Sequence, residues 1–420
     1  MNPSHQLIIF TRFPVPGEAK TRLIPALGAE GAADLQRQMT EHTVAQARKT
    51  GEQIEIRWTG GAEDQLRDWL GEDLRYAEQG GGDLGERMAR AFEDHFNAGA
   101  ERPEGSGCKQ VVIVGCDSPS NHWKNICKSF QWLETSDCVI GPARDGGYYL
   151  IGLTRPMPEL FENIEWGTER VLEQTLLVAT CDPVLLPELD DVDFPADIPP
   201  KISVIIPALN EADHLFQTLE KVRKGFGVEL IVVDGGSTDG TKKLAEHFSH
   251  FMKCERGRAA QQNAGAAAAS GELLLFLHAD TELPDNWDFI VRSTLEKPWI
   301  SLGAFRFRVK ERLRGIGAVE WGTNIRSWVF QRPYGDQGLF LRRETFDAIG
   351  GFPEQPIMED VALVKVARRL GTVVTVREAA VTSGRRWQKH GVFRTTLINQ
   401  LILLGAALGV SPQKLRCLYG

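Results

Sequence analysis

The sequence predicts two α/β/α domains with mostly parallel sheets. Three observations carry that prediction. ISVIIPALNE (202–211), ELIVVDGGSTDG (229–240) and LLLFLHADTELP (273–284) are short apolar runs that stop at polar residues and are followed by helical patterns, as buried parallel strands are. LIIFTRFPVPGEAKTRL (7–23), VVIVGCDSP (111–119) and VIGPARDGGYYLIGL (139–153) follow the same logic in the first half. Between the halves, Pro195, Pro199 and Pro200 of FPADIPPK (194–201) cannot continue a helix, and a new strand begins at Ile202. The expected division is residues 1–194, a proline-rich linker 195–201, and residues 202–420.

At 420 residues the chain has the length of two or three ordinary domains. Its 42% hydrophobic and 25% charged content is that of a soluble globular protein. The formal net charge of −8 argues against a general nucleic-acid binder, while leaving room for local basic patches. Cys108, Cys116, Cys127, Cys138, Cys181, Cys254 and Cys417 form no CxxC pair and no metal-ligand spacing, which reads as reduced thiols of a cytoplasmic protein. The N-terminus shows no basic-then-apolar secretion signal. No uninterrupted apolar stretch reaches the roughly 18–20 residues that span a bilayer.

Along the first half, the opening strand gives way at Pro16-Gly17 to a loop carrying Lys20, Thr21 and Arg22. Cations on such a loop suit a nucleoside triphosphate, or are an exposed charge pair. GGGDLGERM (80–88) adds backbone freedom and Arg87, and NAGAERPEGSGCK (97–109) reads as a surface connection. Asp117 ends a buried strand and Asp145 precedes Gly146-Gly147. Two carboxylates meeting in one crevice can hold Mg²⁺ through water and phosphate oxygens, though both positions also suit turns.

In the second half, Asp234 ends a strand before Gly-Gly-Ser-Thr-Asp-Gly. A carboxylate there accepts hydrogen bonds from a base or ribose, or belongs to a turn and helix cap. GRAAQQNAGAAAASGE (257–272) reads as a close-packed helix ending at Gly271. His278 and Asp280, at i and i+2 of an extended chain, face the same way and can share a metal and a diphosphate. Glu359-Asp360 open a helix whose apolar residues are Val361, Leu363, Val364, Ala367 and Leu370. Acidic residues favour a helix start, and a carboxylate there can also act as a general base beside a reacting sugar carbon. VFRTTLINQLILLGAALGVSP (392–412), with Arg385, Arg386, Lys389 and Arg394 at its start, is a terminal helix packed on its own domain or an interfacial helix near a membrane.

The order PALNE, VVDGGSTDG, RGRAAQQNAGA, FLHADT, GGF and MED, over about 202–390, resembles the family 2 glycosyltransferases of the GT-A fold, a Rossmann-like architecture. The resemblance implies a nucleotide-diphosphate sugar donor, transfer with inversion, and Mn²⁺ or Mg²⁺. It places the nucleoside at Asp234, the diphosphate near Arg258 and the metal at Asp280; Pro207, Asn210, Glu211 and His278, at the same strand ends, are expected to contact the donor. Asp360, with Glu359 beside it, falls at the catalytic base. His278 stands where the family's DxD has its first acidic residue. GRRWQKHG (384–391) resembles a short form of the family's downstream Arg-Trp element.

FTRFPVPGEAKTRL, GGGDLGERM, GCDSP, GPARDGGYYLIGL and IEWGTERVL, over about 6–194, resemble a bacterial glycosyltransferase-like family related to molybdenum-cofactor and phospholactate guanylyltransferases. That resemblance implies a GT-A-like nucleotidyltransferase, with Lys20 catalytic, Arg22 and Arg87 on the nucleotide, and Asp117 and Asp145 on the metal. The expectation is a cytoplasmic enzyme joining a sugar-transfer domain, with an unidentified acceptor, to a domain that makes or binds the donor. Two alternatives stay open. The first domain is a non-catalytic docking or nucleotide-binding module, or the whole chain works at the inner membrane surface on a polyprenyl phosphate, with 392–412 as its contact.

Overall fold

The computed structural model describes residues 4–97 and 108–419. Most of the expected surface connection at 97–109 therefore lies outside the described residues. The chain forms two compact units, Met1–Ile198 and Pro199–Gly420.

The first unit is built on one sheet of seven strands: β1 (His5–Arg12), β2 (Gln53–Thr59), β3 (Arg75–Glu78), β4 (Gln110–Gly115), β5 (Cys138–Pro142), β6 (Tyr148–Leu153) and β7 (Val184–Leu185). Their order is β3-β2-β1-β4-β6-β5-β7, and only β6 runs antiparallel to its neighbours. Successive residues of β1 feed opposite cores. Leu7 and Ile9 pack with Ile56, Val112 and Val114 on one face, and Ile8 and Phe10 with Val111, Ile113 and Phe92 on the other. Both faces are covered, which is why these strands read as continuous apolar runs.

The second unit holds eight strands: β8 (Ile202–Ala208), β9 (Val228–Asp234), β10 (His250–Lys253), β11 (Leu273–Phe276), β12 (Thr281–Glu282), β13 (Ile300–Val309), β14 (Leu339–Arg342) and β15 (Thr372–Thr382). Their order is β10-β9-β8-β11-β14-β13-β15-β12. Here β14 is antiparallel to β11 and β13, and the short β12 is antiparallel to β15. Again the core splits by alternation, with Val204 and Ile206 on one face and Ile205 on the other. The first seven strands of this sheet follow the order of the first unit's sheet, although the sequence carries no internal repeat.

Three local expectations are corrected. The connection β5–β6 (residues 143–147) is far shorter than the dozen or so residues a parallel crossover needs, so β6 returns antiparallel. The helix at 258 stops at Ala268, short of Gly271. Gly271 is needed for packing instead: a Cβ there would lie 2.5 Å from the Lys201 carbonyl, and its N–H donates to Ser203 Oγ. Residues 278–281 form a turn rather than extended chain, with the Thr281 N–H donating to the His278 carbonyl. The geometric premise for pairing His278 with Asp280 therefore does not hold.

In the first unit, a buried ionic group ties the helix Leu84–Asn97 to β2. Glu55 lies 3.1 Å from His95 and also binds Arg57. Burial opposes a charge on His95, but Cys108 and Glu55 outweigh it and raise its pKa from 6.5 to about 9. A raised histidine stabilises the fold fully below its unfolded value, and the gain is lost as pH rises through the folded one. The first unit should therefore lose roughly 2–3 kcal/mol between pH 6.5 and 9. Denaturant titration of the full chain across that window should show the slope, and His95→Gln should flatten it.

Candidate active sites

Both sheets present polar side chains at the carboxyl ends of their central strands, where ligands of open α/β sheets bind. In the first unit this edge opens into a cavity of about 570 Å³, the size of a small-molecule site. Lys20, Arg22, Arg87, Asp117 and Asp145 all line it.

Lys20 adopts a left-handed backbone, φ 45°, at the end of the loop that follows β1. That turn sends its side chain inward, where it is 8% exposed. Its Nζ donates to the Val192 carbonyl (2.7 Å) and to Asp193 (2.9 Å), and lies 2.8 Å from Asp117. Burial alone would lower its pKa, but the two carboxylates outweigh burial and raise it, so the ammonium stays charged. Arg22 binds the other oxygen of Asp193. Arg87 donates to the Gly82 carbonyl at the rim.

Asp145 accepts the Gly147 N–H at 2.8 Å. Gly146, at φ 90°, is required: a Cβ would sit 2.0 Å from the Glu169 carbonyl. Asp191 meets Asp145, and burial followed by that neighbour's charge pushes its pKa up to about 6. Asp191 and Asp193 were missed in the sequence. They lie in the irregular chain after β7, which the Val192 N–H fastens to the Asp117 carbonyl. The run DDVDF carries no strand-and-loop signature, and its alternating acids facing one way were the available signal.

In the second unit, Asp234 is 1% exposed and accepts the N–H groups of Gly236 and Ser237. Asn210, left-handed at φ 55°, accepts the Thr238 N–H and donates its own N–H to Ser237. The loops after β8 and β9 are thereby stitched together, with Pro207 half-buried in β8 opposite Val233. Buried Gln261 bonds the carbonyls of Ala208 and Val233, fixing the helix Arg258–Ala268 against both strand ends. Arg258 opens that helix and contacts Glu359 at 3.3 Å.

Glu211 receives both terminal nitrogens of Arg385, which also reaches Asp280 at 3.3 Å. Burial raises the pKa of Asp280 against the pull of Arg385. His278 and Asp280 both feel Arg385 despite the turn between them. Burial, then Arg258 and Arg385, drives the His278 imidazole down to about 3, so it is neutral at pH 7. Glu359, 2% exposed, is raised by burial, with Arg258 opposing and Asp360 adding. Asp360 accepts the Gly335 N–H (2.6 Å) and the Val361 N–H (2.8 Å). A side chain at Gly335 would crowd the site, its Cβ falling 3.1 Å from His278 Nε2 and 3.3 Å from Asp360.

Sequence reading also missed Asp336, in PYGDQG beside Gly335. Burial, eased by Arg326 and reinforced by Asp360, pushes its carboxyl up to about 6. His278 Nε2 and Asp336 Oδ1 are buried with no hydrogen-bond partner among the described residues. No three metal-binding side chains converge among the described residues. The Asp280 carboxylate alone would suit a divalent cation that takes its other ligands from phosphate and water.

Comparison with known proteins matches each unit to a different family model. Residues 43–168 match the model for "Uncharacterized protein conserved in bacteria (DUF2064)", and residues 203–352 that for "Glycosyl transferase family 2". Glycosyltransferase AglE of Haloferax volcanii is 28% identical over 42% of this chain and 64% of its own length. The probable glycosyltransferase YdaM of Bacillus subtilis is 26% identical over 44% of this chain and 50% of its own. The chain thus spans less than two thirds of either relative. Among solved structures, a putative nucleotide-diphospho-sugar transferase from Desulfovibrio desulfuricans G20 is 32% identical, covering 46% of this chain and 83% of its own, at a TM-score of 0.42. The mannosyltransferase PcManGT from Pyrobaculum calidifontis, in complex with GDP-Man and Mn²⁺, is 21% identical over 49% of this chain and 62% of its own, at 0.38. The second unit carries a glycosyl transferase family 2 domain, and the first carries a DUF2064 domain.

Proposed function

We propose that the second unit transfers a sugar from a nucleotide-diphosphate donor to an acceptor hydroxyl, with inversion and with Mn²⁺ or Mg²⁺. The observation that carries this reading is the family 2 match over 203–352, in a unit that gathers Asp234, Arg258, Asp280 and Asp360 at the edge of its sheet. The stitched loops of Asn210 and Asp234 receive the nucleoside. Arg258, at a helix N-terminus, faces the diphosphate. Asp280 would hold the cation, which would neutralise charge on the leaving diphosphate, and the neutral His278 lies on the donor side. Asp360, oriented by the Gly335 and Val361 N–H groups, takes the acceptor proton. A base on the face opposite the leaving group gives inversion.

The first unit, in the same reading, is a nucleotidyltransferase-like site that binds a nucleoside triphosphate with Mg²⁺ and makes the donor or a related conjugate. Its cavity pairs cations for phosphate with carboxylates for metal. Fusion in one chain raises the local concentration of whatever passes between the activities.

Asp280→Ala should abolish Mn²⁺-dependent nucleotide-sugar binding measured by calorimetry, with the melting temperature kept. Undiminished binding would remove Asp280 from the metal site. Asp360→Asn keeps shape and loses basicity, so turnover should fall about 10²-fold or more at nearly constant donor affinity. Wild-type turnover in that variant would leave Glu359-Asp360 as a helix start only. For the first unit, the full chain carrying Asp280→Ala should still bind a nucleoside triphosphate with Mg²⁺. Adding Lys20→Ala and Asp117→Ala should weaken that binding at least tenfold, because triphosphate charge needs both a cation and a carboxylate-held metal. If no triphosphate binds, the first unit is a docking module and the sugar-transfer reading stands.

A further inference from the structure

The chain's C-terminal region carries an excess of positive charge, of which Arg385 alone belongs to a site, and an exposed apolar face that neither site uses. Residues 379–420 contain Arg385, Arg386, Lys389, Arg394, Lys414 and Arg416 and no Asp or Glu, in a chain of net charge −8. Within them lies the helix Val392–Ala407. Its Thr395 and Ile402 are buried on one side, while Phe393, Leu397, Leu401 and Leu404, and Leu408 just beyond its end, are exposed, Phe393 by 83% and Leu408 by 76%. Their spacing of three and four residues puts them on one stripe.

A second exposed apolar stripe lies on a helix that starts beside it. On the helix Ile316–Phe330, Trp321 (69%) and Trp328 (74%) stand one heptad apart, with Val329 exposed beside Trp328. The two helices meet near their starts, where Ile316, Val319, Trp387 and Val392 share a small apolar cluster with Phe307 and Val309. Arg314, Lys389 and Arg394, close to that junction in sequence, form no ion pair among the described residues and are exposed.

We propose that this face seats the second unit on an anionic lipid bilayer. Apolar and indole side chains flanked by cations are what a lipid interface binds. The helix cannot span the bilayer: its 16 residues reach roughly 24 Å against about 30 Å of hydrocarbon. Among the described residues no helix is long and apolar enough to cross a membrane. A second copy of the chain is a poorer occupant, because a self-complementary contact sets these cations against themselves. The proposal does not rest on the sugar-transfer reading.

Flotation of the full chain with vesicles tests it. Vesicles of phosphatidylglycerol and phosphatidylcholine should carry the protein, pure phosphatidylcholine far less, and added salt should release it. Phe393→Asp with Leu401→Asp should lower the bound fraction about tenfold or more, and Lys389→Glu with Arg394→Glu several-fold. Leu177→Asp, at an exposed leucine of the first unit, should change nothing. Quenching of tryptophan fluorescence by brominated phosphatidylglycerol, lost in Trp321→Phe with Trp328→Phe, reads the contact without introducing a charge. Failure to float with phosphatidylglycerol, or a dimer in light scattering that Phe393→Asp and Leu401→Asp split, would overturn the proposal.

Discussion

Each site is closed by an ion pair between the first βα loop of its unit and the unit's last segment. Lys20 and Asp193 are 173 residues apart, and Glu211 and Arg385 are 174 apart. Carboxylates crowded at a strand edge repel one another, and burial raises that penalty. A cation drawn from the far end of the chain relieves it in both units. The polarity is reversed: the first unit takes its cation from the opening loop, the second from the closing segment. Removing either cation leaves partly buried carboxylates uncompensated, which is costly.

The sheet order is shared while the edge chemistry is not. Seven strands of each unit follow one topology, yet the first edge offers four aspartates around a lysine and the second a neutral histidine, paired acids and two arginines. The order of strands is set by alternating burial, which tolerates many apolar substitutions. The loops beyond the strand ends carry no such constraint. This explains how a repeated architecture leaves no repeat in the sequence.

Legibility followed the same division. Strands β1, β4, β8, β9 and β11 were plain because burial on both faces makes them uniformly apolar, and the residues just past them were found with them. Asp191, Asp193 and Asp336 were not, because irregular chain brings them to the site from far along the sequence. The directions of β6 and β14 were not legible, since an apolar run has no direction. Gly335 was invisible for another reason: its role is to lack a side chain between His278 and Asp360. His278 and Asp280 were singled out on a premise the structure corrects, the chain there being a turn.

The long span of the two clasps bears on how the protein is made. Synthesis proceeds from the N-terminus, and a nascent first unit lacks Asp193 until almost all of it has left the ribosome. Until then Lys20 has no carboxylate from the closing segment. The first clasp can shut before most of the second unit has been translated, whereas the second waits for Arg385, 174 residues after Glu211. Apolar burial within each sheet can begin before either clasp has both its partners, and the charged edge can then lock what burial has arranged.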